Sequence, residues 1–224
     1  KRGGGPMPGK VVATFDYVDE RGDLLYQVCR TDPKGFFQRR PIPGHPGDWA
    51  YTLGGGKYGR DPQSGYWYER ANNWPPNELV DLEEVRRVPY RLPDLVDAGK
   101  AKQPVLVAEG EGKVDLLRAL GFVATCAAGG AGKWPVGFGG HLVGRRVVVL
   151  PDMDDVGMVH AHMVMASCVM FGAESVRIVR YGMGWEQMPE KSDVKDWLAL
   201  QPGEGKRAAL IDLIKQQPEW RPAA

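Results

Sequence analysis

The sequence has little cysteine, no long apolar run and almost no net charge. Three cysteines, Cys29, Cys126 and Cys168, are spread over 224 residues with no C-x-x-C pair. That excludes a disulfide-stapled scaffold and a cysteine-rich zinc module. No stretch approaches the ~18 apolar residues of a membrane span, and the opening KRGGGPMPGK lacks the apolar centre of a signal peptide. The expectation is a cytoplasmic protein without membrane partners. The 29 basic residues nearly balance the 28 acidic ones, for a net charge of +1. Bulk polycation binding to nucleic acid is thereby excluded, although a local basic patch survives within a neutral total. With 43% hydrophobic and 25% charged residues, the chain has ordinary globular composition and length for one large or two small domains.

Residues 1–9 read as a flexible Gly/Pro/basic lead-in. Alternating β-branched and aromatic runs follow at Val11–Tyr17 and Leu24–Arg30, joined by the Gly-containing loop 19–23, with a third run at Gly35–Arg40. They predict an antiparallel hairpin or meander. Residues 41–77 show no sustained period and read as a long irregular excursion, with short helices expected at Glu78–Val85 and Leu92–Ala98 and a linker at 99–103.

From residue 104 the pattern becomes strand–helix alternation. Strands are expected at Val105–Ala108, Phe122–Cys126, Arg146–Leu150 and Ser175–Arg180, and helices at Lys113–Leu120, Val156–Phe171, Asp193–Leu200 and Lys206–Gln216. Continuous apolar strands in this order imply an α/β fold with a mostly parallel sheet covered on both faces. The expected division is a basic α+β subdomain over 10–102, the α/β domain over 103–200, and a C-terminal helix and tail over 201–224.

Acidic residues sit where the strands end. Glu109 directly follows the first strand of the α/β region, Asp152 and Asp154 follow the third after one proline, and Asp193 and Asp196 lie beyond the fourth. In open α/β sheets the ligand crevice lies outside the carboxyl ends of the strands, so these acids can converge. Converging carboxylates repel one another, and hard oxygen donors select magnesium or manganese over zinc. An acid after a strand is also a common helix cap, and Asp152 or Asp155 alone would read as capping the next helix. That account strains to cover E-G, D-x-D-x-x-G and S-D-x-x-D-W at three separate strand ends.

These three segments, Val107–Glu111 with Leu116, Leu117, Leu120 and Gly121, then Asp152–Gly157, then Asp193–Leu198, resemble the three motifs of a TOPRIM domain. TOPRIM domains occur in DnaG-type primases, topoisomerases, OLD-family nucleases and RecR-type recombination proteins. The flanking Phe15–Tyr17, Leu25–Arg30, Pro33-Lys34, Phe37–Pro41 and Val85–Pro93 resemble the segment that precedes TOPRIM in phage and plasmid primases and primase-helicases.

The resemblance implies a Rossmann-like TOPRIM sheet behind a smaller α+β subdomain, and the catalytic core of a DNA primase making RNA primers on single-stranded DNA from nucleoside triphosphates. It implies a replicative helicase as partner, a bacterial host with phage or plasmid coding, and an excised core from which zinc and helicase modules are missing. Glu109, Asp152 and Asp154 become the catalytic acids. Together with Asp193 they become ligands of two magnesium or manganese ions, with no zinc expected, and Asp196 is a weaker candidate. Two positions depart from the family pattern: Lys113 stands where an acid is common, and Ser192 where a lysine is common. The alternatives are a metal-dependent OLD-like nuclease, with water as nucleophile, and a RecR-like DNA-binding scaffold without catalysis.

Two further signals bear on substrate. The loop Gly129–Trp134 imitates a Walker A motif but fails it, with Trp134 in place of the magnesium-binding hydroxyl and Ala127 in place of the first glycine. Gly130, Gly132 and Lys133 remain candidates to meet a nucleotide phosphate, against a plain strand-to-helix connection. The segment 30–60 holds six basic and two acidic residues among several aromatics, which suits a single-stranded nucleic acid. Its candidate DNA contacts are Arg30, Lys34, Arg39 and Arg40, against a solvated charged face. His160 and His162 do not share a helical face, so they and the neighbouring methionines read as helix filling.

Overall fold

The protein is described by a computed structural model over residues 9–61, 64–69, 79–180 and 189–221. Residues 1–8, nearly all of the expected lead-in, lie outside this range. Contacts divide the chain into two compact units, residues 1–88 and 89–224.

Unit 1 is a seven-stranded sheet. β1 (Lys10–Val18), β2 (Leu24–Asp32) and β3 (Gly35–Ile42) form the expected antiparallel meander. Tyr17 and Tyr26 face each other across β1 and β2, and their rings stack at 4.5 Å. The sheet continues through β4 (His45–Ala50), β5 (Gly56–Arg60), β6 (Trp67–Glu69) and β7 (Leu79–Leu82), in the order β1-β2-β3-β4-β6-β5-β7. Its pairings are antiparallel except a single parallel bridge between β4 and β6.

Two expectations are corrected in this unit. The segment 41–77 is not a long irregular excursion: its described part contains β4, β5 and β6. These strands are short and broken by Gly and Pro. Each is fixed by one or two buried side chains, such as Ala50, Tyr58 and Trp67, which pack with Ile42 and Leu82 instead of alternating over a long run. The helix expected over Glu78–Val85 does not form among its described residues: Leu79–Leu82 are the strand β7 and 83–85 have no regular structure. Leu79, Leu82 and Val85 imitate a helical stripe, but pairing of Leu79–Leu82 with Gly56–Gly59 of β5 prevails.

Unit 2 is the α/β unit. β8 (Val105–Ala108), β9 (Val123–Thr125), β10 (Arg146–Leu150) and β11 (Ser175–Ile178) form a parallel sheet in the order β11-β10-β8-β9. β8 is buried along its whole length, as a central strand covered on both faces must be. The helices are α1 (Leu92–Val96), α2 (Glu111–Ala119), α3 (Asp155–Met170), α4 (Val194–Ala199) and α5 (Lys206–Gln216). α1 is shorter than expected, and the start of the expected linker is a 3-10 turn, Ala98–Lys100. Among the described residues no helix is long and apolar enough to cross a membrane. The three cysteines are buried and form no disulfide, and burial pushes the Cys168 thiol up to about 12.

A polar knot holds α3 to the segment that crosses over from β9 to β10. Ser167 Oγ accepts from Trp134 Nε1 and from Gly139 N, both at 3.1 Å, and donates to the Val136 carbonyl at 2.7 Å. Gly139 is required at the contact, because a Cβ there would lie 2.5 Å from the Ser167 carbonyl oxygen. Truncating the hydroxyl strands two buried donors, so Ser167→Ala is expected to lower stability by about 1–3 kcal/mol, read by urea unfolding.

Candidate active site at the carboxyl edge of the parallel sheet

Register places the acids. Leu150 of β10 pairs with Ala108 of β8, so Glu109 and the Pro151-Asp152 step leave the sheet side by side. The backbone then ties the third segment to the second. Met153 N donates to the Ser192 carbonyl at 2.8 Å, and Lys191 N donates to the Met153 carbonyl at 3.1 Å. Asp193 is thereby brought to the same edge.

Each acid commits at least one oxygen to the local backbone or to a charge. Glu109 Oε1 accepts from Asp152 N at 3.1 Å. Asp154, rather than Asp152 or Asp155, caps α3, with Oδ1 accepting from Gly157 N at 2.7 Å. Asp193 caps α4 through Lys195 N and Asp196 N at 2.6 and 3.3 Å, and Asp196 answers by accepting from Asp193 N at 3.0 Å. Capping and clustering therefore coexist: the starts of α3 and α4 turn backbone N–H groups toward the carboxylates, which favours negative charge there.

The centre of the cluster is Lys113, on the first turn of α2. Its ammonium forms an ion pair with Asp152 Oδ1 and a second with Asp193 Oδ2 at 3.1 Å, and its side chain is only 15% exposed. Burial works against the charged ammonium, but the hydrogen bonds and charges of Asp152 and Asp193 outweigh it and hold Lys113 above its ordinary value. Burial is also the main cause that lifts Asp152 above its ordinary value; Lys113 pulls the other way, and Asp193 and Asp154 add smaller repulsions. Glu109 is lifted as well, by burial first and then by Asp152 and Asp154 against the pull of Lys113 and of its backbone hydrogen bond. Burial thus raises the two acids, while the neighbouring acids raise Lys113 against burial.

Among the described residues, no group of three or more His, Cys, Asp or Glu side chains could hold a metal ion. The donors are hard oxygens, which suit magnesium or manganese. Such an ion is ordinarily held by one or two carboxylates together with substrate phosphates. Lys113 stands between Asp152 and Asp193, so the oxygens those two acids turn to it are not open to an ion.

The Gly-rich loop reaches the same edge. Gly130, at φ 77°, lies where a Cβ would come within 3.9 Å of the Glu109 carbonyl oxygen, and Gly132, at φ 72°, donates its N–H to His160 Nδ1 at 3.0 Å. Lys133 is exposed. His160 is not mere helix filling: 2% exposed, it anchors the loop to α3. His162 is exposed and its Nδ1 lies 2.7 Å from the Met158 carbonyl oxygen. Ser192 is buried and donates to the Pro189 carbonyl at 2.6 Å, which leaves its hydroxyl no phosphate to meet. A cavity of about 490 Å³ opens at the opposite, amino-terminal edge, but its cations are already paired, Arg91 with Asp115 and both Lys100 and Arg118 with Asp94.

The basic candidates in unit 1 separate. Arg30 and Lys34 are exposed, and Phe36, opposite Arg30 on β3, is 49% exposed. Arg39 lies over the Trp49 ring at 4.0 Å and donates to Gln27 Oε1 at 2.7 Å. Arg40 is 5% exposed and donates to the Glu83 carbonyl. It therefore braces the sheet and presents no cation at the surface. Alternation along β3 could have placed Arg39 and Arg40 on opposite faces, but not said which face is covered.

Sequence reasoning missed what Gly157 and His160 do. A Cβ on Gly157 would collide with the Asp152 carbonyl oxygen and lie 2.8 Å from Glu109 Oε1. Helix propensity alone favours alanine over glycine by ~1 kcal/mol. Gly157→Ala is nonetheless expected to destabilise unit 2 by about 1–3 kcal/mol through overpacking, measured by urea unfolding. Burial holds the His160 imidazole below its ordinary value of 6.5. The unfolded chain then takes up the proton first, so this part of the stability is full above 6.5 and lost as pH falls below it. His160→Asn, which keeps an acceptor for Gly132, is expected to flatten the fall in melting temperature between about pH 7 and pH 5.

No family model matches the chain, and no curated protein matches it. Solved structures do share its fold. The zinc-binding and RNA polymerase domains of the Aquifex aeolicus primase match with a TM-score of 0.55 and 15% identity, over 92% of this chain and 40% of that one. The E. coli primase catalytic core matches with a TM-score of 0.53 and 14% identity, over 92% of this chain and 52% of that one. A DnaG primase catalytic domain bound to single-stranded DNA matches with a TM-score of 0.52 and 14% identity, over 91% and 52%. The chain thus spans about half the length of these structures or less, and it has the fold of a DnaG-type primase catalytic core.

Proposed function

We propose that the chain is the polymerising core of a DNA primase, which joins ribonucleotides on a single-stranded DNA template. The observation that carries this reading is the meeting of Glu109, Asp152, Asp154 and Asp193 at the carboxyl edge of the parallel sheet, beside the Gly-rich loop. Asp152 and Asp154 would hold a magnesium or manganese ion through the oxygens that Lys113 and the α3 cap do not use. When bound, such an ion supplies positive charge against the triphosphate and helps align the attacking oxygen. Glu109, lifted by burial, would take the proton of the ribose 3′-hydroxyl at Oε2, since Oε1 is engaged by Asp152 N, while the hydroxyl oxygen bonds to the α-phosphorus of the incoming triphosphate and pyrophosphate leaves. A raised carboxyl suits a general base working near neutral pH. Lys133 and the backbone N–H groups of the Gly-rich loop would meet the nucleotide phosphates.

On unit 1, Arg30, Lys34 and the half-exposed Phe36 would meet the template, the cations tracking phosphates and the ring stacking on a base. Arg39 would add to this surface from its place over Trp49. Arg40 takes no part.

The test is synthesis of labelled ribo-oligonucleotides on single-stranded DNA, with four ribonucleoside triphosphates and magnesium or manganese. Template-dependent products are expected, reduced by about 10²-fold or more in Asp152→Asn and Asp154→Asn, as for loss of a main electrostatic contributor. Undiminished synthesis in both variants would sink this use of the site. Cleavage of DNA without nucleotides would instead assign the same carboxylates to a nuclease.

A further inference from the structure

We propose that Lys113 is a resident cation of the carboxylate edge, its ammonium taking the place of a divalent ion between Asp152 and Asp193. The chain therefore needs one ion fewer than the two its resemblance implies. The inference concerns the same carboxylates as the proposed function, but ion binding reads it and nucleotide synthesis does not.

Lys113 sits in an unfavourable place for any local purpose. It is the third residue of α2, where the helix dipole presents positive charge and a lysine is disfavoured. It is also largely withdrawn from water, which a long cationic side chain ordinarily avoids. Its compensation comes from two acids on other elements, 39 and 80 positions further along the chain, which it bridges at ion-pair distance. Each acid is independently fixed: Asp152 by the exit of β10 and the backbone bond to Glu109, Asp193 by its cap on α4. An ammonium between two fixed carboxylates supplies the charge that an ion would otherwise bring. It also occupies one oxygen of each acid, so an ion can enter between them only by displacing it.

Formal charge leads to the same conclusion. Glu109, Asp152, Asp154 and Asp193 carry four negative charges when ionised, and Lys113 reduces the surplus to three. One divalent ion then leaves a modest negative charge, whereas two would leave the edge positive. Lys113 is thus a positioning residue that acts through Asp152 and Asp193.

The experiment is titration of the whole chain with manganese alone, without nucleotide, followed by calorimetry and by the electron paramagnetic resonance of free Mn²⁺. Wild type, Lys113→Arg, Lys113→Gln and Lys113→Asp are compared. Wild type and Lys113→Arg are expected to bind no more than one ion per chain. Lys113→Gln and Lys113→Asp are expected to bind one additional ion, or to bind manganese at least tenfold more tightly. Lys113→Gln should also melt below wild type without metal and recover the difference in saturating manganese, while wild type responds little. Equal stoichiometry and affinity across the four proteins would overturn the proposal. If the Gln and Asp variants do not fold, wild type decides alone: two bound ions overturn the proposal, and one or none upholds it. A chain that binds manganese as described but makes no primers would refute the proposed function and leave this inference standing.

Discussion

Holding four carboxylates together at one partly buried sheet edge is the constraint on which the rest of unit 2 depends. Three devices meet it. Backbone N–H groups at the starts of α3 and α4 each take an aspartate oxygen, the Asp152 amide takes one from Glu109, and Lys113 spans Asp152 and Asp193. The first two devices depend on the local chain leaving each strand in a defined direction. The third depends on α2, packed against β8 and β9, carrying Lys113 on its first turn. What is usually called capping is here also charge management. Asp154 and Asp193 stabilise helices and, in the same contact, have part of their negative charge met by peptide dipoles.

The crowding explains the glycines around the site. Gly157 is set by the approach of the Asp152 carbonyl and Glu109 to the start of α3, where no side chain fits. Gly130 and Gly132 adopt left-handed backbone that lets the loop turn tightly beside the end of β8. His160 fixes that loop from below through a single hydrogen bond to the Gly132 amide, and burial keeps the ring neutral so that Nδ1 can accept. The Gly-rich segment is therefore a positioned loop, even though its sequence fails as a nucleotide-triphosphatase motif.

Much of unit 2 was legible because its signals are strong and local. Four runs of apolar residues, each followed by turn residues and a helical segment, leave little freedom in topology, and Glu109 and Asp152 follow directly from where those runs stop, whereas Asp193 lies well beyond its strand and is tied in by Met153. Unit 1 was less legible beyond β3. Its later strands are three to six residues long and are held by isolated buried aromatics such as Tyr58 and Trp67, so no period announces them. β7 reads as a helix until its partner β5 is known. Arg40 looked like its neighbour Arg39, yet one braces the sheet against Glu83 and the other lies over Trp49. Burial of that kind is decided by tertiary packing. Lys113 was visible as a departure from a family pattern, but its bridging role required the positions of Asp152 and Asp193.

The central claim is that this edge is an active centre whose positive charge is supplied partly by the chain itself. Anomalous diffraction at the manganese edge, from crystals holding manganese and a non-hydrolysable ribonucleoside triphosphate, tests it most directly. The account predicts one manganese peak, touching Asp154 or the outer oxygen of Asp152 and the nucleotide phosphates, with Lys113 still between Asp152 and Asp193. A manganese peak between Asp152 and Asp193, with the Lys113 side chain displaced, would contradict it.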